Sequence, residues 1–325
     1  MITIVPGDTV RLVVETQRDG LGVEVPSQVL TADDSLKAYA VLRDVRNNYI
    51  GVISSVWSVS GGIGQVIDPS DSVVLRLTTV GSGRLTAAGG GFTGNTGVIT
   101  VVAGNLASVK LRTDTLNGGI EAGDVTLSVG DSIKLYTAGY DADGNFKGNV
   151  AARYGTTGTL QASRLFITGD STAVWFKPTT ASVGRITDTS NVGDYTDSTG
   201  VITVTNTAAI ARVRINSRAN DAGVEVGAMV LSADEDTVMY LGGYDAYDNY
   251  IGDVVGVWTV RGTIDSNDLG PREGSATRYS PRVAGRTGKI IARYGSYEDS
   301  TEVVTTTAGA VAFLQIQSAL SLIHI

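Results

Sequence analysis

Tyr39–Gly62, YAVLRDVRNNYIGVISSVWSVSGG, returns twice further along the chain, as Tyr136–Gly158 (YTAGYDADGNFKGNVAARYGTTG) and Tyr240–Gly262 (YLGGYDAYDNYIGDVVGVWTVRG). Taking the aromatic residue after the turn as anchor (Tyr49, Phe146, Tyr250), the copies lie 97 and 104 residues apart. Asn48, Asn145 and Asn249 precede the anchors, and Asp44, Asp141 and Asp245 stand five residues before them. Trp57, Tyr154 and Trp258 follow at one common position, and Gly22, Gly119 and Gly223 with Glu24, Glu121 and Glu225 recur upstream. The ends of the copies also match: Phe92–Val101 aligns with Tyr195–Val204 and with Tyr297–Thr306. A period near one hundred residues exceeds the units of solenoids and propeller blades, and is the size of a sandwich domain with its own core.

Within one copy, short alternating stretches recur about every ten residues, the pattern of a β-sandwich. In the first they are Val10–Thr16, Ser35–Leu42, Ile53–Val59, Val73–Thr78, Arg84–Ala88 and Val98–Val102. Alternation places Leu36, Ala38 and Ala40 toward a core, with Lys37, Tyr39 and Val41 on the other face. A sandwich interior about 10 Å thick accommodates one large ring reaching in from a strand, the place expected for Trp57, Tyr154 and Trp258. Asp44 with Asn48, Asp141 with Asn145, and Asp245 with Asn249 read as turns in which side-chain oxygens cap backbone groups.

Composition agrees. Val, Ile, Thr, Tyr and Gly abound, charged residues are 18%, and no Leu-, Glu- and Lys-rich period marks a long helix. The net charge of −8 disfavours nucleic acid and anionic membranes as partners, and no apolar run approaches a bilayer's thickness. There is no cysteine, which excludes disulfides and thiolate metal sites.

The quoted segments resemble bacterial immunoglobulin-like repeats of the invasin and intimin type: a strand, an Asp-x-x-Gly-Asn turn, a strand carrying Trp-x-Val, then a glycine-rich bend. The middle copy departs from this pattern, with Arg153-Tyr154-Gly155 on the tryptophan strand. The resemblance implies an all-β fold of tandem immunoglobulin-like β-sandwich domains in an extended array, belonging to a cell-surface or secreted protein. It implies a non-catalytic structural or adhesive stalk, with neighbouring repeats of the same chain as partners. The alternatives are modules that bind a glycan or a host protein, with Tyr140, Tyr244 and Tyr247 as exposed aromatics, and spacers of a secreted hydrolase. The expected divisions are 1–7 (end of a preceding repeat), 8–105, 106–207 and 208–309 (three repeats), 310–319 (start of a fourth) and 320–325, which resembles translated sequencing adapter. Both ends thus read as cut. The joins Val102–Leu106 and Val204–Ala208 are short enough to limit hinge freedom.

Chemistry-bearing motifs are sparse. His324 is the only histidine, so histidine triads and histidine metal sites are not expected, and no phosphate loop or Gly-x-Ser-x-Gly elbow occurs. Asp141, Asp143 and Asn145 are the one calcium-like run. It lacks an acid at the twelfth position, where Ala152 stands, and Arg46 and Tyr247 replace Asp143 in the other copies, which favours a hairpin turn. Gly89–Gly91 reads as a loop or bulge, Asp33-Asp34 and Asp234-Glu235-Asp236 as solvated turns, and the recurring Glu24, Glu121 and Glu225 as exposed charges rather than an inter-repeat cation site.

Overall fold

A computed structural model of the chain describes residue 3, residues 5–206 and residues 209–312. The expectations for 313–325 therefore lie outside the described residues. Nearly every element is a strand; the helical segments among the described residues are two 3-10 turns, Ala162–Arg164 and Ser266–Asp268. Among the described residues no helix is long and apolar enough to cross a membrane.

The first repeat contains β1 (Thr9–Glu15), β2 (Gln28–Thr31), β3 (Ser35–Asp44), β4 (Tyr49–Val52), β5 (Val56–Val59), β6 (Gly64–Ile67), β7 (Ser72–Leu77), β8 (Gly81–Gly83), β9 (Leu85–Gly89), β10 (Phe92–Asn95) and β11 (Ile99–Val102). One sheet runs β1-β3-β7-β6, with β4 folded back on β3. The opposing layer is β5-β9-β10 continued by β2-β11-β8, and β2 runs parallel to β11. Two facing, mostly antiparallel layers, one built on β3 and β7 and the other on β5, β9 and β11, with the opening edge split between β1 in one and β2 in the other, are the immunoglobulin-like arrangement. The same order recurs around Ile133–Tyr140 and around Thr237–Tyr244; in the third repeat the second layer is one continuous six-stranded sheet. By contact density the chain forms two compact units. The first comprises Met1–Val125, Ser132–Lys177 and Val183–Thr203, and the second comprises Thr126–Asp131, Pro178–Ser182 and Val204–Ile325.

In the first two repeats the second layer breaks where Thr96 and Thr199 interrupt pairing. Thr96 restores the lost bonds itself: its Oγ1 accepts from Leu85 N and donates to Gly97 O. Thr199 does the same with Ile186 N and Gly200 O, and Thr301 with Ile290 N and Glu302 O. The glycine after the threonine is explained by close approach, since a Cβ at Gly97 would lie 2.1 Å from Ser27 N and one at Gly200 would lie 2.3 Å from Asp124 N. Gly90 and Gly91, both with positive φ, form the two-residue turn joining β9 to β10, so this glycine run is a tight hairpin rather than a bulge.

Alternation on β3 holds in part. Ala38 and Ala40 are fully buried with Leu36 packed beside them, but Val41 is buried as well. The outer face at that end carries a second small apolar contact, Val13 directly opposite Val41. Beside it Arg43 and Glu15 form a buried two-pronged ion pair, with Nη2 2.7 Å from Oε2. Such a pair satisfies groups that would be costly to bury singly.

The three large rings share one anchorage. Trp57 stands opposite Ala87, Trp258 opposite Ala292, and Tyr154 opposite Asp188. Trp57 Nε1 donates to Ser70 O at 2.8 Å, Trp258 Nε1 to Gly274 O at 2.9 Å, and Tyr154 Oη to the equivalent Ser171 O at 3.4 Å. Trp258 is wholly buried among Ile215, Met239, Leu241 and Ile290. Trp258→Ala is expected to destabilise the third repeat by about 3–5 kcal/mol, read as a lower urea midpoint at unchanged slope.

Candidate functional site

The recurring turn begins where β3 and its equivalents run out of ladder partners. At that point the chain reverses in five residues, with the fourth in the left-handed region: Asn47, Gly144 and Asp248. The aspartate at the first position organises the loop. Asp44 Oδ1 accepts from Arg46 N and Asn48 N, both at 2.8 Å, and Oδ2 from Asn48 Nδ2 at 2.8 Å and Gly7 N at 2.9 Å. Asp141 repeats the set with Asp143 N, Asn145 N, Asn145 Nδ2 and Gly104 N. Asp245 accepts from Tyr247 N, Asn249 N and Asn249 Nδ2.

These donors set the acidity. The Asn48 amide, with the Gly7 amide, holds Asp44 down to about 2. Burial works in the opposite direction at Asp141 and Asp245, but the N–H groups of Gly104 and Asn145, and of Asn249 and Tyr247, outweigh it and leave both carboxyls below the ordinary range. The oxygens of Asp141 are thus occupied by N–H donors. Among the described residues no group of three or more His, Cys, Asp or Glu is placed to hold a metal ion.

In the first unit the turn also holds the join between two repeats. Gly104, whose N–H binds Asp141, lies in the linker, and Lys147 Nζ donates to its carbonyl at 2.5 Å. Asn145 reaches across to the preceding repeat, its Nδ2 donating to Thr78 O at 3.0 Å and its Oδ1 accepting from Val80 N at 3.1 Å. From the other side Asp33 Oδ2 accepts Asn105 N at 2.7 Å and Asn105 Nδ2 at 2.8 Å. In the second unit Asn249 Nδ2 donates to Thr179 O at 2.8 Å, and Ala310 N donates to Asp234 Oδ2.

Asp33 and Asp234 are exposed, as solvated turn charges should be, and each in addition accepts a backbone N–H from the segment leaving its own repeat. A sequence signal existed, since both stand eleven residues before the turn aspartate, with Gly130 at the same place in the middle copy. Over Gly130 lies the ring of Tyr247, with its hydroxyl 3.1 Å from where a Cβ would be.

Tyr140 and Tyr244 correct the expectation of exposed aromatics. Both are buried, their hydroxyls bonded to Asn117 and Asp221, and each ring meets its neighbour edge-on, Phe146 or Tyr250. They sit where Arg43 sits in the first repeat. Tyr247 is exposed. Glu24, Glu121 and Glu225 are exposed and form isolated bridges with Glu15, Arg112 and Asn216.

The middle repeat carries a second unusual group. Tyr154 Oη lies 2.9 Å from Thr137 Oγ1, which donates to Asp188 Oδ2 at 2.7 Å, and Asp197 N donates to Asp188 Oδ1 at 2.9 Å. Burial pushes Asp188 up to about 6 and Tyr154 up to about 12. The equivalent positions elsewhere are Ala40, Trp57 and Ala87, and Leu241, Trp258 and Ala292.

No family model matches the chain, and no curated protein matches it. Solved structures do. The surface layer protein SbsC, domains 1–6, aligns over 97% of this chain and 42% of its own, at 16% identity and a TM-score of 0.28. Invasin, a bacterial integrin-binding protein, aligns over 89% of this chain and 56% of its own, at 12% identity and a TM-score of 0.33. Sidekick-1 immunoglobulin domains 1–4 align over 91% and 74%, at 9% identity and a TM-score of 0.29. The chain thus spans about half the length of the first and second of these. Its own strand order carries the fold assignment: tandem immunoglobulin-like β-sandwiches.

The folded-state acidity of Asp188 lies above that of an unfolded aspartate, so the native state binds the proton more tightly. Stability of the middle repeat is therefore expected to rise as pH falls from about 6 to about 4, by roughly 2–3 kcal/mol. Asp188→Asn should abolish that rise in thermal melts. The Asp44 turn has the opposite sign: its contribution is present above about pH 4 and is lost as pH falls toward about 2.

Proposed function

We propose that the chain is a non-catalytic spacer, part of a structural or adhesive stalk in a bacterial cell-surface or secreted protein, with repeats at 8–105, 106–207 and 208–309. The observation that supports this most directly is the linker joint of the first unit. Gly104 and Asn105 are hydrogen-bonded to Asp141 of the following repeat and Asp33 of the preceding one, and Asn145 bonds Thr78 and Val80 across the join. Tethers between independent domains are usually left to solvent; a stalk needs each joint fixed, because a free hinge at every module would collapse its reach. The side chains that fix this joint, an aspartate and an asparagine at the turn, recur in every copy.

The absence of cysteine allows a direct test. Ser58→Cys and Ser163→Cys, on exposed positions of the first and second repeats, take a pair of spin labels. Dipolar spectroscopy is expected to return one narrow distance distribution, broadened by Asp33→Ala, which removes an exposed side chain and should leave thermal melts near wild type. A broad distribution in the otherwise unaltered protein would overturn the spacer reading.

A further inference from the structure

The outer face of the middle repeat carries a feature the spacer reading leaves unused. Lys134 on Ile133–Tyr140 stands directly opposite Trp175 on Ala173–Phe176, and Phe166 on Leu165–Ile167 stands directly opposite Trp175 from the other side. Trp175 is 37% exposed and Phe166 48% exposed. Lys134 Nζ lies 4.8 Å from the Tyr136 ring centre and 5.5 Å from that of Trp175; Lys177 Nζ lies 5.5 Å from Trp175 and 5.6 Å from Phe166. The result is an open indole flanked by two ammonium groups, each held in place by aromatic faces.

Three observations point to a ligand. Neither lysine forms an ion pair among the described residues, although the chain carries a net charge of −8. Asp170, which lies beside Lys134 and Tyr136, is occupied by Thr168 Oγ1, Thr172 N and Thr172 Oγ1. The platform is also particular to this repeat. The equivalent cross-strand pairs are Lys37 with Val74 in the first copy and Val238 with Arg278 in the third, where Arg278 is already paired with Asp236. A feature that served only sheet stability would have no reason to avoid the other copies.

We infer that this face of the middle repeat binds an acidic polysaccharide, one whose sugars carry carboxylates. A pyranose offers a flat C–H face that packs on an exposed indole, and carboxylates on adjoining residues reach the ammonium groups on either side. The uncommitted positive charge favours this occupant over a neutral glycan. Nucleic acid, with a full charge on every phosphate, meets the same repulsion from the acidic chain and is the rival polyanion that the oligonucleotide gel tests. The inference is independent of the spacer role, since a module can both set distance and hold a polymer.

The test is affinity electrophoresis of the whole chain in native gels cast with polygalacturonate, dextran or oligo-deoxythymidine, together with fluorescence titration by an oligogalacturonide. Trp57 and Trp258 are buried, so a spectral change reports mainly on Trp175. Retardation by polygalacturonate alone is expected, weakened by added salt. Trp175→Ala and the double substitution Lys134→Ala/Lys177→Ala should each lower affinity at least about tenfold with unchanged melting curves. Equal retardation by dextran would overturn the role given to the lysines. Equal or stronger retardation by the oligonucleotide would overturn the choice of ligand. No retardation in any gel, or retardation indifferent to Trp175→Ala, would overturn the site.

Discussion

The hydrogen-bonded aspartate at the head of each turn is the constraint on which the rest depends. A carboxylate taken out of water must find a donor for each lone pair, and here the donors are the loop's own backbone, the asparagine four residues on, and in two copies a linker glycine. One side chain thereby closes the turn after the central strand and seats the segment entering the repeat. The asparagine has amide capacity left over, and in the first unit spends it on the preceding repeat. Local turn chemistry and the long-range joint are two uses of the same pair of residues.

Much of this was legible in the sequence because repetition does the work of an alignment. Positions that must be filled by one residue type, such as Asp44 and Asn48 or the large ring, stand out at a fixed period. Alternation along β3 located the alanines of the core. It failed at Val41, because the outer face near β1 is itself partly covered, around the Glu15–Arg43 pair. The tyrosines were misread for a related reason. Tyr140 and Tyr244 occupy the position of Arg43, where the outer face of the sheet is covered by neighbouring side chains in each copy, so rings that alternation leaves facing outward are nonetheless buried. The linker's attachment to Asp33 was hidden because it joins residues more than seventy apart, and no local pattern records such a contact.

The candidate sites divide in the same way. The calcium-like run of the middle copy has the residue types of a cation loop, but the geometry turns Asp141 inward onto N–H groups. The platform around Trp175 escaped notice for the opposite reason. Its residues come from three strands and only the pairing register brings them together.

The exchange of an indole and alanine for a phenol, hydroxyl and carboxyl in the middle core has a consequence for biosynthesis. Neighbouring copies of one fold, emerging from the ribosome in succession, are prone to trade strands before each has closed. A tryptophan strand inserted from the first repeat into the second would leave Thr137 and Asp188 buried without the Tyr154 hydroxyl; the reverse trade would press a polar tip against Ala40 and Ala87. Adjacent cores of unlike chemistry thus penalise the wrong partner, and the array keeps its modules distinct while they share a single topology.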